Sequence, residues 1–182
     1  MNSTRTWATL GLTLAVVAVA AVAASPAAAE VTARTGTSFT LTYSRSVSAT
    51  PEAVWAAVTR PAGWWSDAHT YSGSAANIRL EPTPGGCWCE DLPGGGVKHG
   101  EIVLAWPEQR MLRVDAPFGP LQTMGADAVL TMTWTDPAGA AQRELRWTFT
   151  VQGPGVGAMA EAIDSVIGEQ FGRLADHLDD QD

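Results

Sequence analysis

The stretch GGCWCEDLPGGGVKHGE, residues 85–101, gathers two cysteines one residue apart, a histidine and several carboxylates around a glycine run. In a strand, side chains at i and i+2 share a face, so Cys87 and Cys89 point one way and Trp88 and Glu90 the other. Such Cα atoms lie ~6.5–7 Å apart, at or beyond the range a disulfide spans comfortably. The expectation is that the two thiols are not bridged to each other. If LPGGG closes a symmetric hairpin, Asp91 pairs with Val97, Cys89 with His99 and Cys87 with Glu101. Two thiols, an imidazole and a carboxylate would then share one face, a set that zinc or copper accepts. A lone C-x-C with one histidine is a weak metal signal. The expectation is therefore that Cys87, Cys89, His99 and Glu101 line a cavity, with no metal and no cofactor.

A second cluster is WWSDAHTYSG, with Trp64, Trp65, Asp67, His69 and Tyr71. His69 and Tyr71 both donate and accept hydrogen bonds, which suits a ligand carbonyl or hydroxyl, and equally a loop that caps a neighbouring helix. Asp67 is placed to orient His69. No nucleophile stands at a recognisable spacing: G-x-S-x-G, H-E-x-x-H and a phosphate loop are all missing from the sequence.

The first 29 residues bear on the state of the thiols. A short start with Arg5, an uncharged Ala-rich apolar run and the small-residue stretch SPAAA follow the order of a secretory signal. Cleavage after Ala29 leaves a chain beginning at Glu30, with no membrane association expected afterwards; an uncleaved anchor is the other reading. The expected location is periplasmic or extracellular. Without Arg5, ten basic residues face nineteen acidic ones. Such a chain has no basic patch for nucleic acid or anionic lipid. Seven tryptophans follow the leader, enough for a dense core, an aromatic pocket, or both.

The elements that must position these residues follow from periodicity. SFTLTYSRSV alternates Phe39, Leu41, Tyr43 and Val47 against polar residues, a half-buried strand with Arg45 as its exception. Thr50 as N-cap, Pro51 at N1 and Glu52 in the first turn predict a helix that Pro61 stops. A second short helix is expected at Pro61–Gly73. Six β-leaning runs separated by Pro/Gly turns then predict an antiparallel meander. From Met159 to Leu178, apolar residues recur at three and four, a long amphipathic helix. Within it Gly168 and Gly172 share a face, and their cost of ~1 kcal/mol each relative to Ala points to close approach by sheet or ligand, the other reading being loosely tolerated glycines. The fold class is α+β: about seven antiparallel strands wrapped around a long C-terminal helix, with two short helices after the first strand.

The hairpin at Glu108–Gln109 leaves the inward face open. A two-residue turn aligns Cys89, His99, Val103 and Ala105 with Leu112 and Val114; a three-residue turn aligns Trp88, Ile102, Leu104 and Trp106 with them instead. The first is expected, because it leaves a cavity lined by small and polar groups.

The order of elements, with VSATPEAVWAAVT after the first strand, the GWW pair, LEPTPGG and WPEQRML, resembles the START-like or birch-pollen-allergen-like superfamily (SRPBCC). The resemblance runs from Phe39 to about Leu178, so that residues 30–182 form one START-like domain. The nearest patterns are the heat-shock-protein-90 ATPase activator-like and polyketide cyclase/dehydrase-like subgroups; an exported chain would meet no cytosolic chaperone. The resemblance implies a helix-grip fold that holds a hydrophobic ligand between sheet and long helix. It puts Trp64 and Trp65 at the cavity mouth and makes Leu121 and Met124, in the loop FGPLQTMG, candidates to gate one end.

Three functions follow as expectations. The first is an exported binder of a small hydrophobic or aromatic ligand. The second is a cyclase- or dehydratase-type enzyme using His69 or His99 as acid–base. The third is a protein-interaction module. Fold alone does not separate them.

Overall fold

A computed structural model of the chain describes residues 30–136 and 142–180. The predicted leader, residues 1–29, lies outside the described residues. Eight strands form one antiparallel sheet: β1 (Glu30–Arg34), β2 (Ser38–Val47), β3 (Ile78–Leu80), β4 (Cys87–Leu92), β5 (Gly95–Trp106), β6 (Met111–Asp115), β7 (Asp127–Thr135) and β8 (Arg143–Gln152). Their spatial order is β1-β2-β8-β7-β6-β5-β4-β3. Three helices accompany them, α1 (Pro51–Val58), the single-turn α2 (Pro120–Thr123) and α3 (Ala160–Asp179). The architecture is the helix grip expected, with β1 as an additional edge strand before the predicted first one. The predicted second short helix is instead two separate 3₁₀ turns, Pro61–Gly63 and Asp67–His69, with a third at Ala75–Asn77 just beyond it. Among the described residues no helix is long and apolar enough to cross a membrane.

Local chemistry accounts for the elements around the site. Thr50 Oγ1 accepts from the Ala53 amide at 3.2 Å, so α1 starts where its N-cap sits. On β2, Phe39, Leu41, Tyr43 and Val47 are buried against α3, whose own buried stripe includes Ile163, Ile167, Phe171, Leu174 and Leu178. The exception in that strand, Arg45, reaches the last turns of α3 and pairs with Asp176 at 2.6 Å and Asp179 at 2.9 Å. Tyr43 donates to Asp164 Oδ1 at 2.6 Å; burial first, then Asp164, pushes its phenol far above the ordinary tyrosine range.

The two helical glycines separate. A Cβ on Gly168 would meet the Tyr43 ring at 3.2 Å, whereas one on Gly172 would meet nothing within 4 Å. Gly168 therefore marks a close approach by the sheet, and Gly172 does not. Gly172→Ala is expected to stabilise the protein by up to ~1 kcal/mol, and Gly168→Ala to gain less than that because the Tyr43 ring must yield. Paired urea midpoints check the order.

The strand that carries the cysteines departs from the regular register. Cys87 pairs with Glu101 as expected, but Cys89 pairs with Lys98, Glu90 with Val97 and Asp91 with Gly96. A bulge between Trp88 and Cys89 leaves His99 as the extra residue of β5. At this irregularity the Cα atoms of Cys87 and Cys89 lie 5.4 Å apart, within disulfide range, and the two are bridged. The expectation of free thiols is thus corrected: it assumed an unbroken strand. Gly100 lies beside the bulge, where a Cβ would come within 2.6 Å of the Asp115 carbonyl. Alkylation without reductant should label neither cysteine, and label both after reduction. Because the bridge closes a very short loop, loss of it through Cys87→Ser should cost only about 1.5 kcal/mol.

A second bulge, between Ile102 and Leu104, resolves the question of which face looks inward. Ala105 pairs with Leu112, as the two-residue turn requires, while Ile102 pairs with Val114, as the three-residue turn requires. Both alignments hold, each for half of the hairpin, because the extra residue Val103 inverts the parity between them. The connection itself is a 3₁₀ turn at Pro107–Gln109, closed by Arg110 in the left-handed conformation at φ 53°. At the cavity end Trp88, Glu90 and Ile102 face in, correcting the expectation that Cys89 and Val103 do so.

Candidate functional site

Beneath α3, a cavity of about 350 Å³ opens between the helix and the sheet. Its apolar wall comes from Ile163, Val166 and Ile167 of α3, from Phe149 of β8 and from Phe118 and Leu121 around α2. The volume lies at the small end of the range for ligand pockets, ~300–1,000 Å³. Phe118 is the hinge of the aromatic packing, with ring centroids 5.5 Å from Trp65, 5.3 Å from Trp88 and 6.0 Å from Phe149.

The polar groups are few and converge at one end: His69, Thr70, Tyr71 and His99. His99 is buried, and its Nε2 lies 2.8 Å from Glu90 Oε2. Glu90 is fully buried and also accepts from the backbone amides of Tyr71, at 3.1 Å, and of Ser72. Burial pushes this carboxyl up, but the hydrogen bonds from Ser72, Tyr71 and His99 outweigh it and hold it below the ordinary glutamate range. Glu90 is thus an anion that accepts only, so Nε2 of His99 carries the proton of their shared hydrogen bond. One carboxylate positions two elements of the site, the His99 ring and the backbone at Tyr71.

At the mouth, His69 Nε2 meets Glu169 Oε2 of α3 at 3.0 Å. Glu169 is pushed up by partial burial, yet Ser66 and His69 hold it below its ordinary range. Two more α3 side chains tie down the same segment. Gln170 Oε1 accepts from the Ser66 amide at 2.8 Å, and Arg173 Nε donates to the Trp64 carbonyl at 2.8 Å. Trp65 Nε1 donates in turn to the His69 carbonyl at 3.0 Å. Segment 64–69 is thereby fastened along one face of the long helix. Asp67 does not orient His69; its Oδ1 accepts from the Ala75 amide at 2.6 Å.

Of the residues singled out from sequence, the cavity gathers Trp65, His69, Tyr71, His99 and Leu121. Trp64 is buried behind them against Trp88 and Trp147, with its Nε1 donating to the Ala57 carbonyl. Met124 packs against the core without lining the cavity. Cys87, Cys89 and Glu101 stand on the opposite face of the sheet from Trp88 and Glu90, the cysteines bonded to each other and Glu101 to Lys98 at 2.6 Å. These three are corrections: the bulge at Val103 sets Ile102 rather than Glu101 inward, and Cys87, paired with Glu101, faces out together with Cys89. The bridge also removes both thiols as metal ligands, and among the described residues no three His, Cys, Asp or Glu side chains come together as a metal site.

Glu90 and Phe118 are the functional residues that pattern reading missed. A charged residue sharing a strand face with Trp88 was the available signal for Glu90, since such a position is either exposed or strongly paired. Phe118 sits in a Pro/Gly-rich connection, where periodicity carries no information.

No curated protein sequence matches the chain. Among solved structures it resembles a conserved protein of unknown function from Enterococcus faecalis, at TM-score 0.53 and 14% identity over 82% of this chain and 76% of that one. It also resembles a point mutant of norcoclaurine synthase from Thalictrum flavum in complex with a transition-state analogue, at TM-score 0.53 and 11% identity, covering 80% of this chain and 97% of that one. A Rhodobacter sphaeroides protein matches at TM-score 0.50 and 19% identity, over 85% and 97% of the two chains. At these identities the likeness shows a shared fold. The sequence itself carries more: residues 38–179 match the family described as polyketide cyclase / dehydrase and lipid transport, one of the two subgroups the motifs resemble. With the helix grip and its cavity in the same span, the chain belongs to the polyketide cyclase / dehydrase and lipid transport family.

Proposed function

We propose that the protein is an exported binder of a small hydrophobic or aromatic molecule, held in the cavity between sheet and α3. The observation that carries this reading is the cavity itself, about 350 Å³, apolar along α3 and polar only at the His69–His99 end. That distribution is what a ligand site needs: apolar area for affinity and a few polar groups for orientation. Family membership supports a small-molecule ligand. Export is supported by the signal-like residues 1–29 and by the bridge between Cys87 and Cys89, a bond that persists in oxidising compartments. The test is native mass spectrometry of protein recovered from the periplasm or medium of its host. A chain beginning near Glu30 with an organic molecule bound supports both parts. Met1 intact in membranes removes export, and a ligand-free protein that takes up no apolar molecule removes binding.

The Glu90–His99 pair supports a second reading, in which the bound molecule is transformed by acid–base chemistry. A carboxylate fixing one ring nitrogen is how a general base is oriented. Turnover with a pH profile that loses its imidazole ionisation in His99→Phe distinguishes this reading from simple binding.

A further inference from the structure

We infer that the ligand of this cavity is an uncharged molecule whose polar end donates a hydrogen bond, a phenol- or enol-type hydroxyl, to Nδ1 of His99. The inference rests on the cavity-binding reading and names the ligand class for that site.

No lysine or arginine lines the cavity. Its two imidazoles are each already engaged by a carboxylate, His69 by Glu169 at 3.0 Å and His99 by Glu90 at 2.8 Å. A carboxylate or phosphate group entering here would be desolvated beside two glutamates with no cation to meet it. An ammonium group would find both carboxylates occupied, Glu90 by three donors and fully buried. A neutral polar end is what remains.

Donor and acceptor sense follows from the tautomer. Glu90 only accepts, so the proton of neutral His99 resides on Nε2, and Nδ1 is left with a lone pair. His99 lines the cavity with the Tyr71 ring 5.8 Å and the Phe118 ring 6.5 Å away, centroid to centroid. An acceptor between two aromatic rings at the end of an apolar cavity selects an aromatic hydroxyl over its ether, because an ether leaves the buried lone pair unmatched.

Four probes of one skeleton test this by calorimetry or tryptophan quenching at mildly alkaline pH. They are 2-naphthol, 2-methoxynaphthalene, 2-naphthoate and 2-naphthylmethylammonium. Naphthol should bind about ten-fold more tightly than the ether, the size of one well-placed buried hydrogen bond, with both ions weaker than the ether. In His99→Phe the preference for naphthol over the ether should fall to about one-fold. A direct reading on the unmodified protein guards against a variant that fails to fold. In ¹⁵N spectra His99 Nδ1 should be unprotonated and should move on adding naphthol but not the ether. Equal binding of naphthol and ether leaves the cavity reading standing and overturns the inference, as does tightest binding by naphthoate or by the ammonium probe, or a protonated Nδ1. Failure of all four to bind removes the cavity reading and the inference with it.

Discussion

Replacing Glu90 with alanine is expected to cost roughly 3–5 kcal/mol of stability, the scale for taking a charged acceptor away from several hydrogen-bond donors at once. The carboxylate is fully buried and accepts from the Tyr71 and Ser72 amides and from His99. Without it, one buried and two part-buried donors lose their acceptor, each at up to ~1–3 kcal/mol where water does not replace it. Glu90→Gln keeps the shape but turns an NH₂ toward at least one of those donors, so it should also destabilise, by less. The pH dependence carries a defined sign. The folded-state pKa lies below the unfolded one, for which the ordinary value is 4.5. The stability contributed by Glu90 is therefore fully present above about pH 4.5 and is lost as pH falls from there through the lower folded value. Denaturant midpoints of wild type and Glu90→Gln measured down through that range should converge as pH falls. Midpoints that stay a constant distance apart would show that Glu90 is not held as an anion.

The second large effect separates packing from binding. Leu174 is fully buried on the face of α3 that meets the sheet, outside the cavity lining. Leu174→Ala should cost ~2–5 kcal/mol of stability and leave the affinity of the folded protein for an apolar ligand unchanged. His99→Ala should act in the opposite proportion, with ~1–3 kcal/mol lost from affinity toward a hydrogen-bonding ligand and a smaller loss of stability. Unfolding midpoints and binding isotherms on the same preparations make the comparison. His99 is structural if its truncation unfolds the protein as badly as that of Leu174 and leaves affinity untouched.

The helix grip was legible because its signals are periodic. The alternation in β2 and the three–four spacing of α3 state which faces are buried, and the cap at Thr50 states where α1 begins. The tryptophan pair, His69, Tyr71 and His99 were legible as chemistry because few other residues in the chain are both polar and aromatic. What the sequence did not show is strand irregularity. Two bulges in β5, at His99 and Val103, each invert parity. The second sets Glu101, Cys87 and Cys89 outward, and the first lets His99 face in although Glu101, two residues on, does not. A bulge leaves the composition of a strand unchanged, so period-two reading sees nothing of it. The buried anion was hidden for a related reason. Glu90 is satisfied by backbone amides at Tyr71 and Ser72, which no side-chain pattern records.

The space beneath α3 is expected to hold an apolar molecule. The most direct measurement is a fluorescence titration of the neutral probe N-phenyl-1-naphthylamine against wild type and Ala162→Trp. Ala162 lies on the exposed side of α3 and lines the cavity, so a tryptophan there fills the space while leaving the buried stripe of the helix intact. Saturable binding of one probe per wild-type chain, abolished in Ala162→Trp at unchanged unfolding midpoint, is the result expected. Equal binding to both proteins, or none to either, would contradict the account.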